Sequence, residues 1–394
     1  MTPLILVLNC GSSSIKFALF DVSAEPIPRQ PLWNGKVDGI TGPRPTFGET
    51  GVAPHPLPLD PERPYHGALA HIRERVLARV GAEQHIAAVS HRVVHGGTRY
   101  ADPVRMDASV LADLKDYIPL APLHQPFALE AIEELFRLEP TLPQVACFDT
   151  TFHRTQPLTE QMFALPWSAW ERGVRRYGFH GLSYEYMSHA LPERHGDAAY
   201  GRTIVAHLGS GASLCAMRDL ESVATSMGFS ALDGLMMGTR CGSLDPGAVI
   251  YLMEIEKLSL DEVARMLYHD SGLAGVSGVS PDPRELLPLE AENERVRIAL
   301  ALYVHRIVRE IGALAAVLGG LDLLVFTAGI GEHNAVLRER VCAGLGWLGV
   351  QLDADANARH DSVISSPDSR VTVGVENTNE EWIAAWHAAR LLAV

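Results

Sequence analysis

The sequence is short of cysteine, of positive charge and of long apolar runs, and each shortage excludes a class of protein. Five cysteines stand in 394 residues, at positions 10, 147, 215, 241 and 342. Their number is odd and no C-x-x-C pair occurs, which excludes a disulfide framework or a thiolate zinc site and favours a reducing compartment. Lys plus Arg number 33 against 47 Asp plus Glu, a net charge of −14. Nucleic acids and anionic membranes both require basic faces, so neither is an expected partner. The charge-free run Ile311–Leu321 is too short for the roughly 20 residues that span a bilayer. The opening M-T-P-L-I-L-V-L-N-C lacks the basic segment of a secretory signal and reads as a strand, so a cytoplasmic location is expected. No G-x-x-x-x-G-K-[ST] occurs, and no G-x-G-x-x-G opens a helix after the first strand.

What is present is an ordinary globular composition, 47% apolar and 20% charged, long enough for two or three domains. Residues 4–9 form a continuous apolar run, G-S-S-S (11–14) a turn, and 15–21 a second strand. Ten prolines within 25–64 argue for edge strands and loops. Helical periodicity appears over 67–83 and 126–138, and strands over 87–97 and 144–150, the latter delivering Asp149 at its end. A second strand–turn–strand lies at 203–219, a long helix at 294–318, a strand and Gly-rich turn at 322–333, and a final helix at 380–392. Strands alternating with helices predict an α/β fold. Laid on the first hairpin at an offset of 198, the second matches at Val7/Val205, Gly11/Gly209, Ser12/Ser210, Ala18/Ala216 and Asp21/Asp219. This is either chance similarity or the trace of a duplicated domain.

The residues that could carry chemistry are few. The turn N-C-G-S-S-S-I-K exposes amides and three hydroxyls beside Lys16, as a phosphate cradle or a serine-rich surface hairpin. T-A-G-I-G-E (327–332) allows close backbone approach to a ligand, or is a βα turn needing positive φ. Arg92 and Arg240 stand amid apolar residues, and each needs an anion: a protein carboxylate, or a bound phosphate or carboxylate. Asp149 and Glu380 suit a hard divalent cation or helix caps. His180, in Y-G-F-H-G, is a core histidine or a donor to developing negative charge. Neither a Ser-His-Asp order nor a cysteine nucleophile is evident, so the set points to phosphoryl transfer, which needs positioning and charge neutralisation above all.

An ordered series of motifs resembles the acetate kinase family, within the acetate and sugar kinase, Hsp70 and actin superfamily. The series comprises V-L-N-C-G-S-S-S-I-K at 7–16, H-R-V-V-H-G-G at 91–97, A-P-L-H at 121–124, F-D-T-T-F-H at 148–153 and Y-G-F-H-G-L-S at 177–183. It continues through H-L-G-S-G-A-S at 207–213, T-S-M-G-F-S-A-L-D-G-L-M-M-G-T-R at 225–240, S-G-L-A-G-V-S-G-V-S at 271–280, F-T-A-G-I-G-E at 326–332 and T-N-E-E at 378–381.

The resemblance implies two duplicated ribonuclease-H-like (actin-like ATPase) domains facing a central cleft: 1–150 plus 382–394 for acid and phosphate, 151–381 for nucleotide. It implies ATP as co-substrate, Mg²⁺ or Mn²⁺, acetate or a related short-chain acid as acceptor, and a homodimer. By motif, Arg92, Arg240, His180 and Asp149 would be catalytic. Asn9 and Glu380 would hold the metal. Ser12, Ser14, Lys16, His124, His207, Gly209, Ser210 and Gly211 would handle phosphates. Asp282, Arg284, Gly329, Ile330 and Gly331 would meet the nucleotide. Arg92, Val94, Leu123, Phe179 and Ala231 would form the acid pocket. A nucleotide switch of the actin or Hsp70 kind is the rival, and it would not need both arginines with an apolar pocket. The sequence departs from the family pattern at Cys10, Gln125, Ser210, Ala224, Ala231, Cys241–Ser243 and His333, with proline expected at Ala231 and asparagine at Ser210 and His333.

Overall fold

The N-terminal apolar run is strand β1 (Thr2–Cys10), whose interior residues are buried on both faces. Such a strand belongs in the middle of a sheet covered on two sides. The computed structural model describes residues 1–122 and 124–394, and contacts divide the chain into two units: Met1–Thr151 with Asn379–Val394, and Phe152–Thr378.

In the first unit, β1 is followed by β2 (Ser14–Asp21), β3 (Trp33–Asp38), β4 (Thr46–Glu49), β5 (Val52–Pro56), β6 (Gln84–Val93), β7 (Val104–Arg105) and β8 (Gln144–Phe148). They form one sheet in the order β5-β4-β3-β2-β1-β6-β8-β7. β1, β6 and β8 are parallel, while β1, β2 and β3 form an antiparallel meander. Leu4, Leu6 and Leu8 point to one face, into a core with Ala68, Leu69, Ile72 and Val76 of α1 (Pro64–Arg79) and Ala131 and Leu135 of α3 (Gln125–Leu138). A short α2 (Ala108–Asp116) precedes α3. The C-terminal helix Glu380–Leu392 packs on β1 and β6, where the Ser90 hydroxyl donates to the Ala384 carbonyl at 2.8 Å. The predicted helix over 67–83 begins earlier and stops at Arg79, because Gly81–Gln84 turns the chain into β6.

The second unit repeats the plan. Strands β9 (Thr203–Leu208), β10 (Ala212–Arg218), β11 (Glu221–Thr225), β12 (Leu323–Thr327) and β13 (Thr372–Val375) lie in the order β11-β10-β9-β12-β13. This matches β3-β2-β1-β6-β8, three antiparallel strands and then two parallel partners. Helix α4 (Gly181–His195) precedes the sheet, and α5 (Glu294–Leu318) packs on β10. Matching topologies make duplication the reading of the paired hairpins. The ladder also corrects the alignment. Val7 faces Ala18, whereas Val205 faces Cys215, so the offset is 198 through the turn glycine and 197 on the return strand. Gly11/Gly209 is a true equivalence; Ala18/Ala216 and Asp21/Asp219 are out of register.

In each unit burial disfavours the charge of a core histidine, His91 in the first and His153 in the second. The His91 Nε2 lies 2.8 Å from Gln144 Oε1, and His153 sits between Ser222 Oγ and the Phe179 carbonyl at 2.9 Å each. Burial lowers both to about 4, against their hydrogen bonds. Unfolded, each would protonate near 6.5. Their contribution is therefore complete above that pH and is lost as the pH falls towards 4, on the order of 3 kcal/mol apiece. Thermal unfolding followed from pH 7 to pH 4 should show this loss, and His153→Asn should flatten the slope while lowering stability at neutral pH.

Candidate active site

In the first unit the site begins at the carboxyl ends of parallel strands, where open α/β sheets bind ligands. Arg92 stands near the end of β6, and Asp149 follows β8 directly. The Arg92 Nε donates to both Asp149 oxygens at 3.0 and 3.1 Å, Nη2 to Oδ2 at 2.7 Å, and Nη1 to Glu380 Oε2 at 2.5 Å. Of the two anion sources open to Arg92, the protein's own carboxylates are the ones it meets. Burial disfavours its charge, but Asp149 and Glu380 outweigh that and raise its pKa above the usual arginine value.

Glu380 opens the C-terminal helix, capped by Asn379, whose side-chain oxygen accepts from the Trp382 amide at 3.0 Å. Burial pushes Glu380 up to about 7 in spite of Arg92. Its Oε1 is buried and has no hydrogen-bond partner among the described residues. Asn9 and Lys16 face each other across β1 and β2, and Lys16 is exposed. Ser12 is exposed and Ser14 half-buried around the turn, closed by the Gly11 amide donating to the Ser14 carbonyl at 2.8 Å. Val94 is half-buried just beyond β6 and His124 stands at the N-cap position of α3 without a side-chain capping bond, while Leu123 lies outside the described residues. Gln125, a departure from the family pattern, is a backbone clamp: its Oε1 accepts from the His95 amide at 3.1 Å and its Nε2 donates to the His95 carbonyl at 3.0 Å.

The second unit assembles its candidates around the turn between β9 and β10. Gly209, Ser210, Asp282, Arg284, Gly329 and Ile330 line one cavity of about 440 Å³. His333 and Asn334 line it too. Gly331 does not, being buried inside α6 (Ala328–His333). The positive φ of that βα turn falls on Ala328 rather than on either glycine, and the Glu332 carboxylate steadies it by accepting from the Ala328 amide at 2.8 Å. Asp282 caps the turn by accepting from the Arg284 amide at 2.8 Å and holds the Arg284 guanidinium by Nε and Nη2, leaving that side chain otherwise exposed.

Arg240 is the contrast to Arg92. Its Nη1 donates to the Ala231 carbonyl at 2.6 Å, and among the described residues it makes no ion pair. Burial lowers its pKa. A half-buried guanidinium without a carboxylate is a standing demand for an anion. A Cβ on Gly211 would come within 2.7 Å of Arg240 Nη2 and 3.3 Å of His180 Nε2, so glycine there keeps the turn open to both. His180 precedes α4 in the left-handed region at φ 57, and its ring stacks on His207 with centroids 4.1 Å apart. Phe179 is buried and its carbonyl is taken by His153. Sequence reasoning passed over the hydroxyls that hold these rings, Ser213, Tyr184, Ser183 and Thr378, because no local pattern sets them apart from ordinary core polar residues.

The family model of the acetokinase family matches residues 4–386. The chain belongs to that family. An acetate kinase of Rhodopseudomonas palustris is 49% identical over 397 residues, covering 99% of each chain, and one of Rhizobium meliloti is 44% identical over 99% of this chain and 98% of its own. Among solved structures, the acetate kinase of Porphyromonas gingivalis superposes with a TM-score of 0.86 at 37% identity, covering 99% of this chain and 100% of its own. A propionate kinase of Francisella tularensis superposes at 0.88 with 35% identity, covering 98% and 99%. The two-sheet architecture is thus that of the two-domain actin-like ATPase fold.

Removing the Arg92 guanidinium would strand the buried Asp149 carboxylate and the half-buried Glu380 one. Arg92→Ala should lose about 3–5 kcal/mol in denaturant unfolding. Adding Glu380→Gln should restore part of that loss, because a neutral amide does not need the cation.

Proposed function

We propose that this protein transfers the γ-phosphoryl group of ATP to a short-chain carboxylate, acetate first, giving acetyl phosphate and ADP reversibly. The observation that carries this reading is Arg240: a half-buried cation with no anionic partner among the described residues, beside a Gly-Ser-Gly turn and two imidazoles. Membership of the acetokinase family supplies the substrate class. A nucleotide switch would not need that guanidinium together with Arg92 and an apolar pocket.

The acceptor carboxylate is ionised at neutral pH and needs no general base. Its oxygen attacks the γ-phosphorus in line, and catalysis rests on positioning and charge neutralisation. Arg240 and Arg92 neutralise charge on the acid and the transferring group. His180 donates to a phosphoryl oxygen, while His207, His124, Lys16, Ser12, Ser14 and the 209–211 turn hold the phosphate chain. Asp282, Arg284, Gly329 and Ile330 receive the nucleoside, in the cavity that they line. Val94, Leu123, Phe179 and Ala231 are the residues that the family motifs assign to the acyl group.

The residues fit a divalent cation. The unpartnered Glu380 Oε1 is a buried oxygen in want of a positive charge, with Asp149 beside the same guanidinium. Mg²⁺ takes few carboxylates and keeps waters and phosphate oxygens, so two such groups with Asn9 suffice. When bound it would neutralise phosphate charge. We further propose a homodimer in the cytoplasm. Helix Pro246–Glu254 buries none of its residues, and Ile250, Tyr251 and Ile255 are more than half exposed, an apolar surface suited to a second copy. No helix of the described residues is long and apolar enough to cross a membrane.

Hydroxylamine trapping should detect acyl phosphate that depends on ATP and Mg²⁺, with acetate and with propionate. ATP hydrolysis without acyl phosphate at saturating acid would favour the switch. Ala231 stands where the family reads proline, so the pocket should admit one more carbon. The acetate-to-propionate ratio of kcat/KM is expected below about 10, and a ratio above ~100 would refute the wider pocket.

Arg240→Ala should lower kcat by about 10²–10³-fold, the scale for removing one donor to transition-state charge. Arg240→Lys should recover only part of this, because a point charge cannot bind bidentately. Steady-state kinetics on both variants, with melting temperatures as controls, check the expectation.

A further inference from the structure

We infer that two hydroxyl relays, Tyr184–Ser213–His180 and Thr378–Ser183–His207, lock both active-site imidazoles in the tautomer that carries its proton on Nε2. The inference rests on the phosphoryl-transfer reading for its purpose, but its evidence is geometric.

Each histidine meets a serine through Nδ1: His180 Nδ1 lies 2.8 Å from Ser213 Oγ, and His207 Nδ1 lies 2.8 Å from Ser183 Oγ. Each serine meets a second hydroxyl. The Tyr184 phenol is 2.6 Å from Ser213 Oγ, and Thr378 Oγ1 donates to Ser183 Oγ at 2.8 Å. A hydroxyl has one proton to give. Where Thr378 donates to Ser183, the Ser183 proton goes to the imidazole. Either hydroxyl of the Tyr184–Ser213 pair could donate; the phenol is the stronger acid, so in the inferred relay Tyr184 donates and the Ser213 proton likewise goes to the imidazole. A neutral ring that accepts at Nδ1 carries its proton on Nε2.

The direction of Nε2 agrees. A Cβ on Gly211 would stand 3.3 Å from His180 Nε2, and one on Gly209 would stand 3.9 Å from His207 Nε2. Both N–H groups therefore face the backbone of the small-residue turn. The relays also interlock. Ser213 is the cross-strand neighbour of His207 in the β9–β10 ladder yet serves His180, while Ser183, three residues beyond His180 on α4, serves His207. Ser183, Ser213 and Tyr184 are all buried. With the rings stacked 4.1 Å apart, two positive charges would repel, which favours neutral donors over a pair of cations. Ser213, Tyr184, Ser183 and Thr378 are thus positioning residues: they present two oriented N–H dipoles to phosphate oxygens without reorganisation during the reaction.

The test uses the intact enzyme without substrate. In ¹⁵N-histidine-labelled protein, long-range proton–nitrogen correlation reads each tautomer, with His180 assigned through His180→Gln. The expected result is an Nε2–H tautomer for both rings, and in Ser213→Ala a change confined to His180. Kinetically, Ser213→Ala should lower kcat by roughly 10–100-fold, the usual scale for partners that orient a histidine, with KM for ATP and acid within about threefold. Tyr184→Phe, which keeps the ring packing, should give a smaller loss in the same kcat-only pattern, and it stands in if Ser213→Ala folds poorly. An Nδ1–H tautomer in the unmodified protein overturns the inference, as does an unaltered His180 signal with unaltered kcat in both variants. The tautomer measurement decides this even if acyl phosphate formation, which tests the function itself, should fail.

Discussion

The structure of the first unit depends on one guanidinium. Arg92 bonds Asp149, 57 residues on, and Glu380, 288 residues on, so a single side chain ties two parallel strands to the start of the last helix. Hydrophobic burial alone would place that helix on the sheet, since Ile383, Ala384, Ala385 and Ala388 are all buried. Burial is non-directional, however, and would tolerate a slide along the groove. The charge triad does not, because displacing Glu380 would leave a buried cation and carboxylate partly unpaired. Asn379 adds a second pin, donating through Nδ2 to the Arg29 carbonyl at 2.8 Å.

The two units carry opposite electrostatic deficits. In the first, two carboxylates share one guanidinium, and an oxygen of Glu380 is buried with no hydrogen-bond partner among the described residues. In the second, the Arg240 guanidinium has a carbonyl but, among the described residues, no carboxylate. A metal-bound polyphosphate and an acid anion would supply a cation to the first and an anion to the second. That chemical complementarity is why phosphoryl transfer to a carboxylate accounts for more of the polar interior than a nucleotide-binding role alone.

Long, strongly patterned elements were legible from the sequence. The run at 4–9, the helix at 294–318 and the helix at 380–392 all appear in the structure, because burial on a fixed period leaves a mark that neighbours cannot erase. Short or evenly mixed elements were not. β13 has four residues, and α4 carries a proline at position 192 and polar groups on every side. The candidate site was legible as an inventory of motif residues, including the cavity set Gly209, Ser210, Asp282, Arg284, Gly329 and Ile330. Pairings were not: whether Arg92 meets a protein carboxylate or a ligand depends on Glu380, 288 residues away, and the serines beneath the histidines lie 33 and 24 residues from them.

Duplication explains why such different residues do related work. In each hairpin the second ladder pair before the turn stands at the mouth of the sheet: Asn9 opposite Lys16 in the first unit, His207 opposite Ser213 in the second. The backbone position is the same. The side chains diverged towards an amide and a flexible cation on one side, and towards an imidazole with a hydroxyl anchor on the other. The turns diverged with them. Three residues separate β1 from β2 and leave Ser12 and Ser13 exposed, whereas the three between β9 and β10 place glycines at 209 and 211. Glycine at 211 keeps that turn open, because a side chain there would occupy the space between the turn, His180 and Arg240. An exposed hydroxyl turn reaches a ligand with side chains; a glycine turn lets the ligand reach the backbone. The two hairpins therefore offer a ligand different things, exposed hydroxyls in one unit and bare backbone in the other, on return strands that differ by one residue in register.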